Sequence, residues 1–558
     1  MKNQKKAVGI SLALFIGALT LTGCASSESS NAAFTASSAI CTESTGALTT
    51  TTSILAANST LHTSEEDYEW SDADVQELVL SGESVTISEV GTYHLTGEIS
   101  DGQILVDTSA TGIVRLILDG VTISNSKGSA IEITNAPETM IVLASGSKNK
   151  VSDTSNYEAD VEANAAIFAK SNLTITGKGE LVVNANGNDG ISTKDGLVIN
   201  SGNITVTSVD DAIRGKDYVV VEGGTITITS GGDGIKSDND ETNTRGFINV
   251  SGGTVTIDSE TDGAQATTDV VVTGGSLNVS AVDDALNSSC VTAISGGNIS
   301  ASAGDDAVHS DGELFISAGT ISVEEAYEGL EAAAAYVSGG NIYVNSSDDG
   351  INIAGGADRS GEVRPGEEAT TEETTTTEAS GDAFSTSVDT QITISGGIIV
   401  INSGGDGLDT NAIGTITGGN ITVYGPTNGG NGAMDGDFTI SGGTLLAIGS
   451  AGMAIAPSVE SSQASIKATL TTPVNASQIL TIKNSSGTVL ATFKTSKAIE
   501  SVVYSSSRLK IGETYNVFAA SENIGSGVAG EYENNEFGGR GMGGGMKGPR
   551  PSDAPPSE

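Results

Sequence analysis

The chain has 558 residues, a formal net charge of −45 at pH 7, 4% aromatic residues, one Trp and three Cys. That charge excludes nucleic acid as a partner, because phosphate binding needs a basic surface, and points instead to cation binding or a highly solvated surface. So few aromatics argue against a large conventional core, and three cysteines cannot make a disulfide framework.

At the start, Lys2, Lys5 and Lys6 precede an apolar run over 7–21 and then Leu21-Thr22-Gly23-Cys24. A charged start, a short apolar stretch and a small-residue cleavage site make residues 1–24 a secretory signal. The apolar run is short for a membrane span. The last four residues resemble a bacterial lipobox. That implies cleavage before Cys24, a lipid on its sulfur, and an extracellular lipoprotein whose contact with the membrane is that lipid alone. The other reading is an ordinary signal with an incidental Cys. Residues 25–66 are rich in Ser, Thr and Ala without hydrophobic period, which predicts a flexible tether. Cys41 lies in it, and nothing in the sequence gives it a role.

From 67 to about 151 the chain is β-rich but irregular, with runs such as Val114-Arg115-Leu116-Ile117-Leu118 and Met140-Ile141-Val142-Leu143. From about 186 to 452 it repeats. An acidic corner recurs at Asp189, Asp211, Asp233, Asp262, Asp284, Asp306, Glu328, Asp349 and Asp406, mostly in steps of 21 or 22 residues. A pair of small residues recurs between corners, as at Gly223-Gly224, Gly252-Gly253 and Gly274-Gly275. Each unit holds three short β-type runs separated by Gly and Asp turns. Ile204 and Val206, Ile226 and Ile228, and Val255 and Ile257 alternate with Thr205, Thr227 and Thr256, the twofold pattern of strands with one buried face. The chain is therefore expected to be all-β: a right-handed parallel β-helix of about 22-residue coils over 67–455, in which coils stack about 4.8 Å apart. Residues 355–388 form a polar, acidic insertion, expected to be a disordered loop. Residues 456–522 alternate as antiparallel strands would and predict a small module that closes the solenoid. Residues 523–558, rich in Gly, Met and Pro, predict a disordered tail.

Several corners are doubled: Asp210 with Asp211, Asp283 with Asp284, Asp305 with Asp306, Asp348 with Asp349. Carboxylates stacked one coil apart repel. A Ca²⁺ ion, with Ca–O distances of about 2.3–2.6 Å, fits between two of them, so Asp189, Asp233, Asp262 and Asp406 join the doubled acids as candidate calcium ligands. The competing reading is that Asp-Gly is simply good turn chemistry, although a turn needs only one acid. Three residues after each corner stands a varied polar column: Ser192, Arg214, Lys236, Gln265, Asn287, His309, Glu331, Asn352 and Asp409. Varied polar groups on a rigid frame suit an extended polymer. Arg214, Lys236 and His309 are its candidate ligand-binding members, with Phe315 and Tyr336 as candidate stacking platforms for sugar rings. No nucleophile motif, distinct acid pair or zinc spacing stands out, so no catalytic residue is assigned. Arg214 or Lys236 beside calcium is the nearest approach to a lyase base.

Gly-Thr-Tyr-His-Leu-Thr-Gly at 91–97, Ile-Leu-Asp-Gly-Val-Thr-Ile at 117–123, Asn-Asp-Gly-Ile-Ser-Thr-Lys-Asp-Gly at 188–196, the Asp-Asp-Ala-Ile type repeats and Gly-Glu-Thr-Tyr at 512–515 together resemble a family of secreted bacterial carbohydrate-binding proteins. The resemblance runs from about Val85 to Ala520. It implies a right-handed parallel β-helix that binds Ca²⁺ and acidic or cellulosic plant polysaccharide, notably polygalacturonate, without catalysis. Calcium ligands would then fall on the acidic corners. Glu328 and the acid-free Asn431-Gly432-Ala433 depart from that pattern. The alternatives are a calcium-dependent polysaccharide lyase on the same scaffold, and a calcium-stabilised adhesin or spacer.

Overall fold

Ile204 pairs in register with Ile226, Ile226 with Val255, Val255 with Leu277, Leu277 with Ile299 and Ile299 with Ile321. Every one of these side chains is at most 2% exposed. Removing each from water contributes about 1.5–3 kcal/mol, and the ladder repeats this once per coil. Between the buried files run outward ones, such as Thr205, Thr227 and Thr256, joined by the same pairings. A one-residue slip would turn the aliphatic file into solvent, so this alternation fixes the register.

The computed structural model describes Cys41, residues 61–159, 161–353 and 390–534. The signal segment with Cys24, most of the tether, the acidic insertion at 355–388 and residues 535–558 of the expected tail lie outside the described residues, whereas its first residues, 523–528, continue the strand Glu522–Val528. Among these residues the architecture is all-β. Thirty-eight strands join one hydrogen-bonded system, and four more form a separate antiparallel sheet. A single coil shows the plan. Tyr218–Val221, Thr225–Ser230 and Ile235–Ser237 pair in parallel with Phe247–Val250, Thr254–Ser259 and Ala264–Ala266 of the next coil. The chain is thus a parallel β-helix, as its period predicts.

The small-residue pairs have two separate causes. Gly253 holds φ +80°, a left-handed conformation that only glycine adopts without strain. Gly252 is needed for room: a Cβ there would stand 2.2 Å from the carbonyl oxygen of Glu222 on the preceding coil.

Both ends are treated differently from the middle. The first strand, Val75–Ser81, pairs in parallel with Gly91–Ile99. At the far end, Thr444–Gly449 pairs antiparallel with Ile499–Ser506, which pairs in turn with Ser465–Val474. Beyond them the four-stranded sheet comprises Val489–Lys494, Ile479–Asn484, Thr514–Ala519 and Glu522–Val528.

The N-terminal approach to the solenoid is fastened to its flank. Cys41 is disulfide-bonded to Cys290, 249 residues away. Leu61 packs on an outward cluster of Val198, Tyr218, Val220 and Phe247. His62 places Nδ1 2.8 Å from the Tyr218 hydroxyl and Nε2 2.8 Å from Thr174 Oγ1. Arg115 donates to the carbonyl oxygen of Asp67 at 2.9 Å. Leu61 and His62 fall in the segment that composition alone reads as tether, and the apolar outer file they cover explains why they dock.

Candidate metal-binding face

The corners stack as the repeat predicts, and Asp211, Asp233, Asp262 and Asp284 each divide their two oxygens between two tasks. One oxygen accepts the backbone N–H of the next corner. Asp211 Oδ1 accepts from Asp233 at 3.0 Å, Asp233 from Asp262 at 3.1 Å, Asp262 from Asp284 at 3.0 Å and Asp284 from Asp306 at 2.8 Å. The same bond resumes from Asp406 N–H to Asp349 at 2.6 Å and from Gly432 N–H to Asp406 at 2.5 Å. This satisfies turn amides that burial would otherwise leave without a partner.

The other oxygen faces the polar column three residues on. Lys236 Nζ lies 2.6 Å from Asp233 Oδ2 and 3.6 Å from Asp211 Oδ2. Arg214 lies 3.7 Å from Asp189 Oδ2 and also pairs with Asp238. Asn287 Nδ2 donates to Asp262 and Asp284, both at 3.1 Å. His309 Nδ1 lies 2.9 Å from Asp306 Oδ2 and 3.2 Å from Glu331 Oε2. Asn352 Nδ2 donates to Glu328 Oε2 at 2.8 Å. Column residues therefore sit between coils, and several bridge their own corner and the one before.

The column changes sign along the axis. After Ser192 it carries Arg214 and Lys236, passes through Gln265 and Asn287 to His309, and continues as Glu331, Asn352, Asp409 and Asp435, which are register partners on successive coils. At the first end the acids have cations beside them. At the other, acids face acids. Burial, and then Glu331, push Glu328 up to about 8. Burial, and then Glu328 and Asp406, push Asp349 up to about 8. Burial with Asp406 and Asp435 raises Asp409 to about 7, while burial raises Asp406 to about 6. Asp189 and Asp262 are raised to about 7, by burial and then by a neighbouring corner acid. For Asp211, raised to about 6, burial outweighs the opposing pull of Lys236. Ionising this face costs free energy that a divalent cation would recover.

Carboxylate oxygens converge in two oxygen-only groups, Asp189 with Asp210 and Asp211, and Asp283 with Asp284 and Asp305, each within 4.8 Å. Asp189 Oδ2 is buried without a hydrogen bond, as is Asn352 Oδ1. A carbonyl oxygen buried among carboxylates has no donor to meet, and a cation suits it. These donor sets fit a hard cation such as Ca²⁺, which takes six to eight oxygens. Asp348 and Asp349 belong to neither group and stand beside Glu328 and Asp406. Glu331, Asn352 and Asp409 belong to the polar column, and the period alone marks no difference between them and its other members. What singles them out is that no Lys or Arg among the described residues pairs with the acids there, Glu331 meeting His309 instead.

Phe315 and Tyr336 stand elsewhere, on an outward file with Val271 and Ala293. Their rings stack at 5.0 Å with an interplanar angle of 11°, and Gln391 donates to the Tyr336 hydroxyl at 2.9 Å.

Residues 81–350 match a family described as carbohydrate-binding domain-containing protein. The match takes in the corners from Asp189 to Asp349. A relative from Acetivibrio thermocellus with the same description is 43% identical over 136 residues, which is 24% of this chain and 48% of that protein. The aligned part thus spans about half the length of that relative. A solved structure described as the polysaccharide lyase-like protein from C. thermocellum, gadolinium derivative, aligns at 33% identity over 40% of this chain and 92% of that one, with a TM-score of 0.34.

Proposed function

We propose that the protein is a non-catalytic, calcium-dependent binder of plant-type polysaccharide, acidic pectin such as polygalacturonate, with cellulose as a second class, presented outside the cell on a lipid attached to Cys24. The observation that carries this reading is the stack of partly buried acids at Glu328, Asp349, Asp406 and Asp409, which face no Lys or Arg among the described residues, inside or next to the carbohydrate-binding match. An anionic protein and a polyanion repel over about 10 Å at 0.1 M salt. Calcium held at the corners with open coordination positions would bridge them.

The geometry favours binding over lyase chemistry. A lyase base needs a free amine or similar group near neutrality. Burial alone would lower Lys236, but its bond to Asp233 and the charge of Asp211 leave it raised, so it stays protonated. Arg214 is held by Asp189 and Asp238.

Affinity electrophoresis in gels containing polygalacturonate tests the reading. Migration should be retarded with Ca²⁺, and not with Mg²⁺ or chelator, because Mg²⁺ keeps its waters. Equal retardation in chelator would remove calcium from the mechanism. Release of unsaturated products, seen as rising ultraviolet absorbance, would favour the lyase, and no retardation under any condition would favour an adhesin or spacer.

A further inference from the structure

His309 is the one imidazole on the acidic face, and its surroundings differ from those of every other member of its column. Nε2 lies 3.3 Å from Asp311 Oδ1. Nδ1 lies 2.9 Å from Asp306 Oδ2 and 3.2 Å from Glu331 Oε2. Asp306, His309 and Glu331 are each at most 5% exposed, and their ligand atoms fall within 4.8 Å of one another.

A carboxylate behind a histidine fixes the tautomer. It takes the Nε2 proton and leaves the Nδ1 lone pair facing forward, the arrangement that metal-binding histidines share. Here that lone pair looks at two carboxylate oxygens. Three acceptors about 3 Å apart repel unless something positive lies among them. A proton on Nδ1 supplies one charge to two carboxylates. A divalent ion supplies two, and about 2.0–2.2 Å from each atom is the bond length of zinc to histidine nitrogen and carboxylate oxygen. The next coil carries a further buried oxygen donor. Asn352, one coil on from Glu331, is 8% exposed. Its Nδ2 reaches back to Glu328 on the coil of Glu331, and its Oδ1 is buried without a partner.

We propose that Asp306, His309 and Glu331 form a site for a first-row divalent transition ion of the zinc class, positioned by Asp311. Imidazole nitrogen selects for such ions, whereas the all-oxygen groups on the same face suit calcium. Asp306 is thereby drawn out of the calcium ladder. The site does not depend on the protein's binding of polysaccharide.

The full mature chain, stripped with chelator and returned to excess Ca²⁺, should take up one equivalent of Zn²⁺ by calorimetry. Co²⁺ in its place should give the visible bands of nitrogen-ligated, low-coordinate cobalt. His309→Gln should abolish uptake while leaving the calcium-induced rise in Tm, and Asp311→Asn should weaken Zn²⁺ binding by about 10–100-fold. No zinc uptake beside calcium, an oxygen-only cobalt spectrum, or wild-type affinity in His309→Gln would each overturn the site. Should His309→Gln fail to fold, the cobalt spectrum of the wild type and the affinity of Asp311→Asn decide the matter.

Discussion

The backbone N–H of Asp306 donates to Asp284 Oδ1 at 2.8 Å, and there, among the described residues, the run of carboxylate-to-amide bonds that begins at Asp211 ends. Before that point an acidic corner stitches one turn to the next and meets a basic or amide side chain. After it, Asp349 and Asp406 still accept backbone N–H groups and Glu328 still meets the Asn352 amide, but these corners stand among further acids. One repeated residue type therefore serves as a structural ladder and as a store of negative charge.

The charge store should set the pH dependence of the chelated protein. Glu328 and Asp349 sit at about 8, whereas unfolded carboxylates titrate near 4. The native state then binds protons more tightly than the unfolded state, so their stabilisation is fully present below about pH 4 and is lost as pH rises through about 8. Thermal melts in EDTA should show Tm falling between pH 5 and 9, and Ca²⁺ should restore it at the upper end. A flat or rising profile in EDTA would remove the uncompensated acids from the account.

Lys236 should be structural. Lys236→Met leaves Asp211 and Asp233 without their shared cation. Because the lysine is partly exposed, the cost should lie between that of an exposed and a buried pair, about 1–3 kcal/mol. Denaturant unfolding of the mutant checks this, and a neutral result would show the pair to be solvated.

Glu328→Gln and Asp349→Asn should act oppositely in the absence of metal. Each removes a partly buried charge that repels its neighbours, so Tm in EDTA at pH 8 should rise while the calcium-induced increment shrinks. Paired melts with and without calcium measure both.

Reduction of Cys41–Cys290 should destabilise the protein by about 2–4 kcal/mol, read as a lower Tm with dithiothreitol. Cys41→Ser should reproduce the loss and be insensitive to reductant.

Palmitate labelling checks the proposed anchor. Cys24→Ala should abolish incorporation, and labelling at the wild-type level would remove the lipid from the account.

The solenoid was legible because its signal is redundant: Ile204, Ile226, Val255 and Leu277 repeat one environment, and each copy supports the others. The corners and the polar column were legible for the same reason. Periodicity gives the column, but not what each member meets. That Lys236 neutralises two acids while Glu331 adds to them depends on how far each side chain reaches across a coil. The Cys41–Cys290 bond and the docking of Leu61 were hidden for a different cause. They join segments outside the repeat to the repeat, and no local pattern encodes a contact across 249 residues.

The strand Ile499–Ser506 lies antiparallel along the last coil strand, Thr444–Gly449. Every coil before it offers its backbone donors and acceptors to a successor of the same kind, so nothing within the repeat says how many coils to build. Without the reversed strand, the final rung would present bare amides and carbonyls to any extended chain, including the first rung of another copy. Truncation before residue 456 should therefore convert discrete rods into end-to-end filaments.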